Sequence, residues 1–135
     1  MDFLLYLTPV GNEIINKIIS KKYIIKENAP ICRKHRIYGF LKSPEFIICT
    51  DNIKNGASPA SHYINETVYH EAVHIAQICK KGPIGISTVG LDEWKLKDAS
   101  RSSSITGQNK VYELEAYYLE DKPDLINQYL EKFCF

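Results

Sequence analysis

The sequence has no long apolar run. Its longest stretch near the start, Phe3 to Leu7, falls far short of the roughly 20 residues a spanning helix requires, so no membrane span is expected. The same stretch makes a poor export signal, because Asp2 stands where a basic segment belongs and no small-residue cleavage site follows. Charge of one sign is also missing. Seventeen Lys and Arg against sixteen Asp and Glu leave +1, too weak a field to draw the chain to nucleic acid. The four cysteines, Cys32, Cys49, Cys79 and Cys134, include no C-x-x-C pair. An even count permits two disulfides in any of three connectivities. Without an export signal, however, buried free thiols are the expectation. The chain is then expected to start near Met1 and to stay where it is made, the cytoplasm included. No internal repeat or low-complexity tract is present, and 135 residues suit one domain over residues 1–135.

What is present reads as α+β. Thr8-Pro9 is a helix start, and Ile14, Ile15, Ile18 and Ile19 form one apolar face after it. Tyr23-Ile24-Ile25 reads as a short strand. Ile37 to Leu41 and Phe46 to Thr50 flank the turn-like Lys42-Ser43-Pro44-Glu45 and suggest a hairpin. Ser58-Pro59 opens a second helix, about Ala60 to Lys80, which Gly82-Pro83 ends. Residues 82 to 108 read as a long loop with a helical turn around Trp94, a residue expected to anchor the core. Helices follow over about Asn109 to Glu120 and from Pro123 onward.

The chemistry lies in His70-Glu71-Ala72-Val73-His74. Two histidines at i and i+4 stand on one helix face and can bind one metal ion together. Glu71, about 100° further round, stands beside that ion, where it can take a proton from a water the ion activates. This is H-E-x-x-H, the zinc hydrolase motif. Catalytic zinc needs a third protein ligand. No histidine follows His74, so a downstream carboxylate is the candidate. Glu113-Leu114-Glu115-Ala116-Tyr117 supplies two glutamates about 200° apart on a helix, only one of which can face the metal.

His70 to His74 followed by Glu113-x-x-Ala116 resembles the gluzincin metallopeptidases in their small single-domain form. The sequence from about Ile31 to Tyr117 is distantly similar to the mitochondrial family that processes an ATP synthase subunit, including Cys49 at a strand end and Cys79 after the motif helix. The resemblance implies a minimal zincin-like domain with a short antiparallel or mixed sheet packed on the active-site helix. It places the third ligand at Glu113, a supporting side chain at Tyr117, and Glu115 pointing away. It makes the strand through Ile47, Ile48 and Cys49 the edge of the cleft, where an extended substrate would pair. The implied activity is zinc-dependent hydrolysis of a peptide or protein substrate, with Glu71 as general base. The competing reading is a metal-stabilised protein-binding module that keeps the fold without turnover. Among lesser features, Gln77 is expected to pack or to support the site and His62 to be solvated. Cys32 and His35 have a metal-like spacing that is weak on its own.

Overall fold

A computed structural model describes all residues 1–135. The chain opens with a 3₁₀ turn, Asp2–Tyr6, followed by α1 (Pro9–Ser20), β1 (Ile24–Glu27), α2 (Pro30–His35), β2 (Gly39–Lys42) and β3 (Glu45–Ile48). Then come α3 (Thr50–Gly56), α4 (Ala60–Lys80), α5 (Glu93–Thr106), α6 (Lys110–Leu119) and α7 (Pro123–Cys134). The architecture is α+β, with seven α-helices around a three-stranded mixed sheet. No helix is long and apolar enough to cross a membrane.

α4 is the axis of the molecule. Its residues are buried almost without interruption from Ile64 to Gln77, because the sheet and helices α1, α6 and α7 pack around it. Its polar residues must therefore find partners inside. Asn65 does so by accepting from the Thr8 N–H and donating to the carbonyls of Tyr6 and Ser61. α1 starts as expected, with the Thr8 hydroxyl accepting from the Gly11 N–H at 3.0 Å. α4 starts where expected but for another reason. Pro59 is itself the residue before the first turn, and no side chain caps it. At the other end Lys81 takes the left-handed conformation (φ 66°), one residue ahead of the glycine expected to stop the helix.

The sheet order is β1-β3-β2, with β1 parallel and β2 antiparallel to β3. The hairpin is thus present, and the spacing of two sends Phe46 and Ile48 into the main core and Ile47 to the opposite face. That opposite face is closed by α2, which brings Cys32 against Ile47 and the Cys49 that follows β3.

Three sequence expectations are corrected here. First, the cysteines are not free thiols: Cys32 pairs with Cys49 and Cys79 with Cys134. The first bond also removes Cys32 from any second metal site with His35. Second, residues 93–106 form a helix rather than a loop. α5 buries only Lys95 and Ala99, so it has no apolar stripe to read. Several of its hydroxyls bond back to carbonyls one turn earlier, as in Ser100 to Leu96, Ser104 to Ser100 and Thr106 to Ser102. Third, Trp94 is 54% exposed and is no core anchor.

Candidate metal centre

His70 and His74 lie one turn apart on α4 and face α6, which delivers Glu113. Glu113 Oε1 stands 3.1 Å from His70 Nε2 and 3.0 Å from His74 Nε2. The three side chains are buried and could hold one metal ion, with their donor atoms all within 4.8 Å of one another.

The partners on the far side of each imidazole decide what those atoms are. His70 Nδ1 donates to Glu120 Oε1 at 2.8 Å. His74 Nδ1 donates to Gln77 Oε1, also at 2.8 Å. With a proton held on each Nδ1, a neutral imidazole presents a bare lone pair at Nε2. Two such lone pairs and a carboxylate oxygen then converge on one point. Three acceptors in contact repel unless a cation lies among them. Two extra protons, one on each ring, answer that need, and so does one divalent ion of the same total charge. The donor set therefore fits a metal.

The electrostatics of the protonated alternative agree. Burial opposes charge on both histidines, yet their bonds to Glu113, and for His70 to Glu120, outweigh it. His70 is held well above its ordinary 6.5, and His74 is also raised. Burial likewise opposes the Glu113 charge, but the two imidazoles overcome it and hold the carboxyl well below the usual range. Glu71 goes the other way: burial raises it, against the pull of His70 and His74. Glu66, one turn before His70, is pushed up to about 7 by burial and by the Glu120 charge.

A pH dependence follows. A histidine whose folded pKa is raised contributes stability below 6.5 that is lost as pH rises through the folded value. The raised carboxyls Glu66 and Glu71 also lose stability as pH rises, from 4.5 up to their folded values. Both histidines, and Glu66 up to about 7, lose stability as pH rises above 6.5, and the raised Glu71 has the same sign. Thermal melts in a chelator are expected to fall from pH 6.5 to 8. Added zinc should stabilise more at pH 8 than at pH 6, since its ligands must shed protons. A chelated melt that rises over this range would contradict the assignment.

A cleft of ≈ 370 Å³ opens onto this centre. β2 and the residues before it form one wall, α5 forms the other, and His70, Glu71, His74 and Glu113 line the floor. Gly39 permits the close approach of β2 to α4, since a Cβ there would stand 2.6 Å from Thr67 Cγ2 and 3.2 Å from Glu71 Cγ. Trp94 stands in the α5 wall. Tyr117 lies where the supporting residue was expected. Its ring meets His70 edge-on at 4.5 Å between centroids, and its hydroxyl bonds to Ser102 on α5 at 2.8 Å. Glu115 points away from His70, His74 and Glu113, toward Gln77 and the segment after α4.

Ile47, Ile48 and Cys49 are not where the substrate strand was expected. β3 is paired on both sides and is the central strand, its side chains are buried, and Cys49 is in a disulfide. No chain can add to it. The strand edge at the cleft is β2. His62 is exposed and 3.6 Å from Glu66, away from the metal ligands.

Two residues of the centre went unread in the sequence. Glu120 lies seven positions after Glu113, two turns along the same face, and that spacing was the available signal. Its other oxygen is 3.5 Å from Lys95 Nζ. Lys95, buried on α5, also donates to the Tyr117 carbonyl at 2.9 Å. No sequence pattern pointed to it.

The chain belongs to the family described as Domain of unknown function (DUF8637), whose model matches residues 3–135. No curated protein and no solved structure matches it.

Proposed function

We propose that this chain is a zinc-dependent metallopeptidase of the gluzincin kind, built on a minimal zincin-like domain. One observation carries the reading: two Nε2 atoms and a carboxylate oxygen converge at the floor of an open cleft, with the glutamate of H-E-x-x-H lining the same cleft. Two imidazoles and one carboxylate suit zinc, and three protein ligands leave the open position a catalytic site needs. Held by His70, His74 and Glu113, zinc would supply Lewis acidity, polarising a carbonyl and lowering the pKa of water toward about 7.

The protein's own groups do the rest. Glu71 takes the proton of the attacking water and returns it to the leaving amine. The burial that raises its pKa makes it a better proton acceptor. Glu120 and Gln77 hold the imidazoles with Nε2 toward the cleft. Tyr117 braces the His70 ring. β2 has an unpaired edge, and an extended peptide or protein substrate can add to it by backbone hydrogen bonds.

Metal content tests the reading directly. Protein purified without added metal is expected to carry about one zinc per chain by elemental mass spectrometry. No metal, with none taken up on adding zinc, would sink the proposal. Glu113→Ala should cost more zinc affinity than the roughly 10–100-fold typical of changes behind the ligands.

A further inference from the structure

The far side of His74 holds a relay that the ligand set leaves unexplained. Gln77 accepts from His74 Nδ1 through Oε1. Its Nε2 donates to the Tyr112 carbonyl at 3.0 Å and to Glu115 Oε1 at 2.9 Å. A side-chain amide can usually turn over at little cost, because its two ends are nearly the same shape. Here it cannot. The turned amide would set its oxygen against two acceptors and its NH₂ against Nδ1. The His74 proton would then have to move to Nε2, the atom that faces Glu113.

Glu115 is itself fixed. Its Oε1 also accepts from the Ile84 N–H at 2.8 Å, and its Oε2 accepts from Gly85 at 2.7 Å and Ile86 at 3.3 Å. Four N–H donors converge on its two oxygens, so what faces Gln77 is an acceptor. Glu115 is 2% exposed and Gln77 4%. Water therefore cannot readily replace either partner.

We infer that Glu115 is a positioning residue for the metal centre: it acts through Gln77 to hold His74 in the tautomer that presents Nε2 to the ion. This rests on the metal reading above. It gives the glutamate that points away from the ligands a role at the site, and it ties the backbone at residues 84–86 to a ligand on α4.

A double-mutant cycle separates this role from simple support of the 84–86 segment. The zinc dissociation constant would be measured by chelator competition for the unaltered chain, Glu115→Ala, Gln77→Ala and the double variant. Far-ultraviolet circular dichroism would check that each folds. Glu115→Ala is expected to weaken zinc about tenfold, and to add less than about twofold once Gln77 is already alanine. Its effect on the chelated melting temperature should persist in both backgrounds, since the 84–86 contacts are lost in each. Equal tenfold costs in both backgrounds, or no cost in affinity, would overturn the inference. Should Glu115→Ala fail to fold, Glu115→Gln serves in its place, since its NH₂ would crowd either Gln77 or the backbone donors. If the unaltered chain takes up no zinc, the metal reading falls and this inference falls with it. If it binds zinc and the cycle shows no coupling, only this inference falls.

Discussion

Glu71→Gln is expected to lower peptide hydrolysis by roughly 10²–10⁴-fold, the range general acid–base groups supply, while zinc content stays at about one per chain. The substitution keeps the shape of the side chain and removes its basicity. Glu71 is no ligand in the set formed by His70, His74 and Glu113, so the metal should be held as before. Burial raises the Glu71 carboxyl, and the two histidines oppose the shift. The amide cannot take up the water's proton at any pH, so no shift of the pH optimum should rescue it. The assay pairs a quenched fluorescent peptide mixture with elemental analysis of the same preparation. Retained turnover would remove Glu71 from the mechanism. Zinc without turnover in the unaltered chain would favour the binding-module reading, although such a module has no need for an intact base beside its metal.

Breaking the Cys79–Cys134 bond should cost more stability than breaking Cys32–Cys49. The first spans a sequence separation of 55, and closing a loop of that length removes about 4 kcal/mol of unfolded-chain entropy. Cys32–Cys49, with a separation of 17, should be worth about 3 kcal/mol on the same basis. Against a total of roughly 5–15 kcal/mol for a domain, either is a large share. Cys79–Cys134 ties the end of α7 to the last turn of α4. Without it α7 is held by burial of residues such as Ile126 and Leu130 and by Lys17 of α1, which bonds to Asn127 and pairs with Glu131. The Cys79→Ala, Cys134→Ala double variant removes the bond without leaving a reactive thiol. Urea unfolding at pH 7 is expected to show the larger loss for this pair than for Cys32→Ala, Cys49→Ala. A loss under about 1 kcal/mol would show that the unfolded chain gains little freedom when the bond is absent.

The legible parts of the fold were those with periodic burial. α1 and α7 each put an apolar stripe against α4, and their starts carry proline at the first positions. α4 was legible for its length, and the histidine pair needed only the helix to share a face. Glu113 and Glu115 were both visible, but composition alone could not choose between them. That choice depended on how α6 docks, and the family resemblance supplied it. α5 was hidden because it covers the cleft largely with polar residues: it buries only Lys95 and Ala99, and Lys95 and Ser102 reach inward through polar atoms. β3 was misread as an edge because its second neighbour, β1, pairs with it in parallel, a long-range pairing that no hairpin spacing announces. The cysteine pairing was not readable from spacing, since residues 17 and 55 apart meet only once the sheet and α7 are in place.

One short helix and its C-terminal cap residue carry Glu113, which faces both histidines, Glu115, which backs Gln77, and Glu120, which backs His70. Sliding α6 along α4 by a single turn, about 5.4 Å, would withdraw the ligand and both carboxylates behind the histidines together. Under the proposed metal reading, cation uptake would report on helix registry: a chain arrested before α6 seats would carry both histidines without the Glu113 ligand and bind far more weakly. Added during refolding, zinc would act as a timer for that last docking event rather than for the collapse around α4.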